Sequence, residues 1–192
     1  GETINTNVDY AARVVIEGNV ATLIAGGVEK TSFDFGELLN DGQVGLGTHD
    51  AAAVFDDFSV GSVQLYFDDF DDGVADDFDP QAGNWFVNGA LKYRPVPVIG
   101  SDDISVLDLA NPLPSDFQVD VLLQGKDAGV KKNAVIIFDY QGPNDFKFAG
   151  GFFGADKWKI GHFDGVNWLT DAAFGETINT NVDYAARVVI EG

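Results

Sequence analysis

Apolar and polar residues alternate along most of this chain with a period of two, and Gly, Asn or Asp interrupts the alternation every few residues. Tyr10–Glu17 carries a β-branched run, Gly18-Asn19 reads as a turn, and Val20–Ala25 runs back, which predicts a hairpin. Gly26-Gly27 ends that strand, and Thr31–Phe35 alternates again. Past a turn at Leu39–Gly42 come Gln43–Gly47 and a long strand, Ala51–Val63. A second hairpin is predicted from Asn84–Val87, the Asn88-Gly89 turn and Ala90–Tyr93. Asp116–Gln124 alternates cleanly; Asn133–Tyr140, Phe146–Phe153 and Trp158–Phe163 read as further strands. No stretch holds a 3.6-residue period, and the one short helix expected is placed near Gly36–Leu39. About a dozen short strands of this kind predict an all-β chain folded as an antiparallel β-sandwich.

The pattern also repeats on a longer scale. Residues 1–18, GETINTNVDYAARVVIEG, return letter for letter at 175–192, an offset of 174 residues. Identity at every one of these positions predicts a tandem repeat, one full period followed by the first strand of the next copy. The 174-residue period is long enough for one domain with its own core.

Composition narrows the function. Net charge is −20, and the duplicated strand accounts for −2 of it, leaving −18 per period. An array of such units is a polyanion that repels nucleic acid and anionic lipid and attracts cations, so neither a nucleic-acid partner nor membrane insertion is expected. Asp outnumbers Glu, and the stretch Phe67–Pro80 holds seven Asp in fourteen residues. Cys is absent, which removes disulfides and thiolate metal sites, and Met is absent too, so the chain reads as a stretch of a longer protein. No apolar run approaches membrane-spanning length. Cys-free, Asp-rich repeats suit an extracellular, cell-surface protein that meets calcium outside the cell.

The stretch Asp69–Tyr93, DFDDGVADDFDPQAGNWFVNGALKY, with its acidic strand, Trp and V-x-G-x-L turn, resembles the opening of a concanavalin A-like (laminin G-like) jelly-roll module. Val44–Val60, VGLGTHDAAAVFDDFSV, resembles the closing of such a module, and Tyr184–Glu191 continued by Gly18–Ala25 resembles its R-V-x-I-x-G-x-V hairpin. The closing motif precedes the opening one. The resemblance therefore implies that residues 1–65 are the C-terminal half of one module and 66–192 the N-terminal part of the next, joined by the short linker Gly61–Leu65. Two arrangements follow. Residues 1–65 could close against 66–174 as a circular permutant, so that the two 18-residue copies compete for one strand position and the displaced copy invites strand exchange with another chain. Alternatively, 1–65 completes the preceding module of a continuous fibre, and neighbouring modules abut head to tail.

The same resemblance implies a structural calcium, with Asp57, the Asp68–Asp69 region and the Gly89 carbonyl as its oxygen ligands. The acidic stretch is not an EF-hand: taking Asp68 as its first ligand places Phe70 at the third. Glycan binding is the rival function, on a surface formed by Trp158, His162, Asp164, Asn167 and Trp168. Catalysis is not expected. Glycosidases of this fold need closely spaced paired carboxylates on one strand, and Glu2, Glu17, Glu29 and Glu37 do not supply that spacing. Ala149-Gly150-Gly151 is no phosphate loop, since no Gly-Lys-Ser/Thr follows. The expected role is a structural repeat of an extracellular filament, stalk or giant adhesin, stiffened by calcium where modules meet.

Overall fold

A computed structural model describes residues 12–17, 19–37, 39, 42–60, 66–98, 100–109, 113, 117–129 and 131–191, except the side chains of 12–17, 128–129 and 188–191. The expected linker 61–65 and residues 1–11 of the first repeat copy lie outside the described residues. The chain is all-β. Its strands in order are β1 (Ala12–Glu17), β2 (Val20–Ala25), β3 (Val28–Asp34), β4 (Gln43–His49), β5 (Ala51–Val60), β6 (Tyr66–Asp68), β7 (Phe78–Ala82) and β8 (Trp85–Val87). They continue as β9 (Tyr93–Pro95), β10 (Asp102–Leu107), β11 (Phe117–Gly129), β12 (Asn133–Gly142), β13 (Asp145–Phe152), β14 (Lys157–Phe163), β15 (Trp168–Gly175) and β16 (Tyr184–Glu191).

These strands form two packed sheets. The larger runs β3-β2-β1-β16-β11-β5-β9-β8, with β6 also on β5; the smaller runs β15-β14-β13-β12-β4-β10-β7. Every pairing is antiparallel except β1 with β16. Residues 12–60 and 66–191 interleave in both sheets: β5 sits between β11 and β9, and β4 between β12 and β10. The two parts of this chain thus close on each other, and the chain changes sheets between β4 and β5 at Asp50, in the left-handed region at φ 47°. Asn133 clamps that crossing, accepting from the His49 amide at 2.6 Å and donating to the His49 carbonyl at 2.5 Å.

Alternation builds the core. Ala21, Leu23 and Ala25 of β2, and Val119, Val121 and Leu123 of β11, point one way and are buried against Ala134, Ile136 and Phe138 of β12 and Trp158 and Ile160 of β14. The smaller sheet is apolar on its other face as well. Val135 and Ile137 of β12 and Phe146 and Phe148 of β13 form a second buried cluster there, covered by Phe163 and Trp168. Glycines make room for it. A Cβ on Gly45 would lie 2.2 Å from the Ser105 carbonyl oxygen, and one on Gly150 would lie 2.3 Å from that of Ala134.

The helix expected near Gly36–Leu39 is absent from the described residues there, which form bends, and the helical turn among the described residues is 3-10, at Phe153–Ala155. Phe35 packs on the core from that segment, and the Asp34 side chain accepts the Gly36 amide at 2.8 Å, so a local turn takes the place of a helix start. No helix of the described residues is long and apolar enough to cross a membrane.

Gly45→Ala should lower stability by about 2–4 kcal/mol, because its Cβ meets backbone atoms that cannot swing aside. Gly89→Ala, at an exposed turn with nothing within 4 Å, should change it by less than about 0.5 kcal/mol. Urea unfolding of the two variants checks the pair.

Candidate functional site

Two of the expected calcium ligands, Asp68 and Asp69, open the Asp-rich segment Asp68–Asp79, and the structure shows how its carboxylates are used. Asp68 accepts the Phe70 amide at 2.7 Å, Asp69 the Asp71 amide at 3.1 Å and Asp72 the Val74 amide at 2.9 Å. Each is a turn in which a short side chain replaces a backbone acceptor. The second Asp68 oxygen takes the Asp76 amide at 3.1 Å and the Tyr66 hydroxyl at 3.2 Å. Asp also tolerates left-handed backbone: Asp50, Asp57, Asp77, Asp139 and Asp156 all have positive φ.

Of the four expected ligands, Asp57 and Asp69 lie close enough for the Asp69 charge to act on Asp57, just past the β5–β6 pairing that ends at Phe58 opposite Asp68. Burial raises the Asp57 carboxyl above its ordinary pKa, and the charges of Asp56, Asp69 and Asp71 raise it further while Lys92 opposes them. Burial likewise raises Asp68, against its bonds from the Phe70 amide and Tyr66. Gly89 sits exposed in a turn tied by the Asn88 side chain, and the neighbouring Lys92 ammonium lies 2.8 Å from Asp56. Among the described residues, no group of three or more His, Cys, Asp or Glu side chains is placed to hold a metal ion.

The expected glycan surface is divided. Asp164 and Asn167 lie in the β14–β15 turn, where Asp164 accepts the amides of Val166 at 2.9 Å and Asn167 at 2.7 Å; Trp168 pairs with Phe163 on the outer face, and strand alternation sets His162 on the other face. Those two bonds, Asn167 first, hold the exposed Asp164 carboxyl below its ordinary pKa. His162 bonds Asp171 at 2.6 Å. Trp158 lies at the far end of the hairpin, fully buried, with its indole donating to Glu176 at 2.8 Å. It faces the inter-sheet core while Trp168 packs on the opposite face of the same sheet, so no single surface carries both.

Sequence reading missed what lies beside Trp168. Its indole donates to Asp102 at 2.8 Å, and its ring stacks on His49 with centroids 4.9 Å apart. His49 Nδ1 lies 2.5 Å from the other Asp102 oxygen, and Lys131 reaches His49 Nε2. Burial works against the Asp102 charge, but the bonds from His49 and Trp168 outweigh it and hold the carboxyl below its usual range. The cluster comes from β4, β10 and β15, which local pattern cannot bring together. Its neighbour Asp103 is fully buried, with one oxygen near the Thr48 hydroxyl at 3.3 Å and the other without a partner. Burial pushes this carboxyl up to about 6.

The remaining feature belongs to the repeated strand. Arg187 of β16 pairs with Asp120 of β11 on one side and with Ile24 of β2 on the other. Arg13, its equivalent in the first copy, pairs with the same two residues. Ala12 and Ala186 both stand opposite Ala25, and Val14 and Val188 both stand opposite Val119. The two identical strands therefore share one register against β2 and β11. Past that stretch, Ile16 and Ile190 run side by side, as do Glu17 and Glu191.

The residues leading into β16 are held in place as well. Ile178 and Val182 are buried, the Asn181 amide donates to the Gly125 carbonyl at 2.7 Å, and Glu176 pairs with Lys30 at 2.7 Å. Tyr184 is fully buried, its ring 5.5 Å from Trp158 and 5.6 Å from Phe153. Arg187 bonds Asp120, and Asp183 accepts from Gln124 at 2.8 Å.

No family model, no curated protein and no solved structure matches this chain.

Protonated Asp103 is the form the fold favours, so its contribution to stability is complete below pH ~4 and is lost as pH rises through about 6. Asp103→Asn should therefore stabilise the protein by about 1–3 kcal/mol at about pH 8 and make little difference near pH 3.5. Thermal unfolding across that range reads the difference.

Proposed function

We propose that this chain is a structural repeat of an extracellular, cell-surface filament, stalk or giant adhesin, built on a concanavalin A-like sandwich and repeated every 174 residues. The observation that carries the reading is the shared register of β1 and β16 against β2 and β11. β16 arrives from β15 at the place from which β1 leads into β2. A chain continuing beyond Glu191 would deliver its next residues to the position of β2. Each sandwich of an array would then take β6–β16 from one period and β2–β5 from the following one, with the module boundary near residue 66. One strand would make both connections, and 61–65 would become the joint between adjoining modules.

A three-period chain imaged by electron microscopy should be a straight rod with one sandwich per period and a constant axial rise. Loosely strung beads with variable spacing would refute the rod. Calcium enters this reading through Asp57 and Asp69, whose charges act on each other near the β5–β6 pairing. Added calcium should raise the midpoint of thermal unfolding by several degrees, and Asp57→Asn should abolish that rise. An unchanged midpoint removes calcium and leaves the rod standing.

A lectin is the second reading, favoured by Trp168, stacked on His49 beside the turn that holds Asp164 and Asn167. A glycan array decides it. Binding that is lost in Trp168→Ala supports a lectin, whereas absence of binding to any glycan supports the scaffold.

A further inference from the structure

Lys147 of β13 and Asp139 of β12 form a charged pair inside the protein, with only 4% and 3% of their surfaces exposed. A local irregularity brings them together. Lys147 stands opposite Phe138, and the β12–β13 register shifts just beyond, between Phe138 and Gly142. Asp139 sits in that bulge in the left-handed region, at φ 48°. The Gly42 backbone presses on it, since a Cβ there would lie 2.3 Å from the Asp139 carbonyl carbon. Held in this way, the Asp139 carboxylate meets the Lys147 ammonium, Oδ2 against Nζ.

Three neighbours equip the pair for chemistry. Glu37 Oε1 lies 2.9 Å from Lys147 Nζ, and its side chain is 66% exposed, so it connects the buried amine to solvent. Gln141 Nε2 donates to Asp139 Oδ1 at 3.0 Å, which favours negative charge on that oxygen as a nucleophile adds to the carboxyl carbon. The Phe35 ring lies 5.4 Å from Nζ and packs edge-on against Phe138. Such apolar walls bring the neutral amine and acid closer in energy to the ion pair. Burial works against the Lys147 ammonium, but its bonds to Asp139 and Glu37 outweigh that and raise its pKa. The resting form is therefore the ion pair, and reaction requires its protons to pass to the carboxyls.

We propose that Lys147 and Asp139 join in an intramolecular amide bond, a covalent modification that the folded chain makes in itself. Lys147 Nζ attacks Asp139 Cγ, the Cγ–Oδ2 bond breaks, and Oδ2 departs as water. The ammonium gives up two protons on the way to the amide; Glu37 carries them to the departing oxygen and ends unchanged. Nothing is oxidised or reduced, and no co-reactant is consumed. Contact between fixed, buried groups supplies the drive, an effective concentration of about 10⁵ M or more. The bond closes a ring across the β12–β13 turn, so these two strands cannot part from that end. This inference goes beyond the repeat reading and does not depend on it.

The test is a mass. The unaltered chain, weighed under denaturing conditions, should be lighter than its sequence by one water. Complete tryptic digestion should leave residues 133–157 as one peptide, uncut after Lys147 and short of the same water, because an acylated lysine is no longer a trypsin site. Lys147→Arg keeps the charge without the amine nucleophile and should have its full mass. Glu37→Gln, at an exposed position, should lower the linked fraction at least about tenfold at equal times after synthesis.

A chain of full mass, cut after Lys147, overturns the proposal and leaves a buried ion pair. A missing water that maps to any other peptide overturns it as well. Full linking in Glu37→Gln overturns the proton-carrying role given to Glu37. None of these outcomes bears on the imaging of the rod, and a failed rod leaves the mass unchanged.

Discussion

Backbone hydrogen bonding between β2 and β11, made through the repeated strand, governs the larger sheet. β2 and β11 cannot reach each other, and each carries a row of amides and carbonyls that must be paired once the core is buried. The 18-residue strand closes that gap and brings Tyr184 and Ala186 onto the core side. Without it the sheet would divide between β3-β2 and β11-β5, opening two edges over the apolar layer that holds Leu23, Val121 and Trp158. The repeat reading proposed above rests on the register that the two identical strands share against β2 and β11.

The chain also shows how one residue type can serve two physical ends. Asp is a hard oxygen ligand, and it is also a short acceptor that mimics a backbone carbonyl in tight turns. The segment after β6 uses it mainly in the second way, as consecutive side-chain-to-amide turns at Asp68, Asp69 and Asp72. Burial raises the carboxyls of Asp57 and Asp68, and the charges of neighbouring acids add to it. A bound cation would relieve the first of these. Asp68 already spends both its oxygens on neighbouring donors.

The smaller sheet solves a different problem. Both its faces are apolar, one against the other sheet and one under Phe163 and Trp168, so it needs a roof as well as a floor. Glycines such as Gly45 and Gly150 let neighbouring strands and rings approach more closely than any side chain would allow. Trp168 is then held at the rim by Asp102 and His49, which couples three strands that are distant in sequence.

Sequence alone determined the all-β class and most strand positions, because these depend on a two-residue period; in the second hairpin it placed the first strand, but the loop takes 88–92 rather than Asn88-Gly89 alone and the return strand is Tyr93–Pro95. The Gly26-Gly27 turn, with φ of 62° and 75°, was legible too, as was the alternation of β11. Sequence also announced the duplicated strand. It placed the acidic residues without saying whether they would bind ions or backbone, since both uses draw on the same oxygen atoms and differ only in what lies nearby. It missed β10 and β15 as strands, and with them the Asp102–His49–Trp168 cluster, because those partners are 53 and 66 residues apart. Only the tertiary structure decided that Trp158 faces inward and Trp168 outward, that the parts 12–60 and 66–191 interleave in one sandwich, and that β1 and β16 share one register against β2 and β11. Sheet neighbours are chosen by long-range pairing and burial, which local periodicity does not encode.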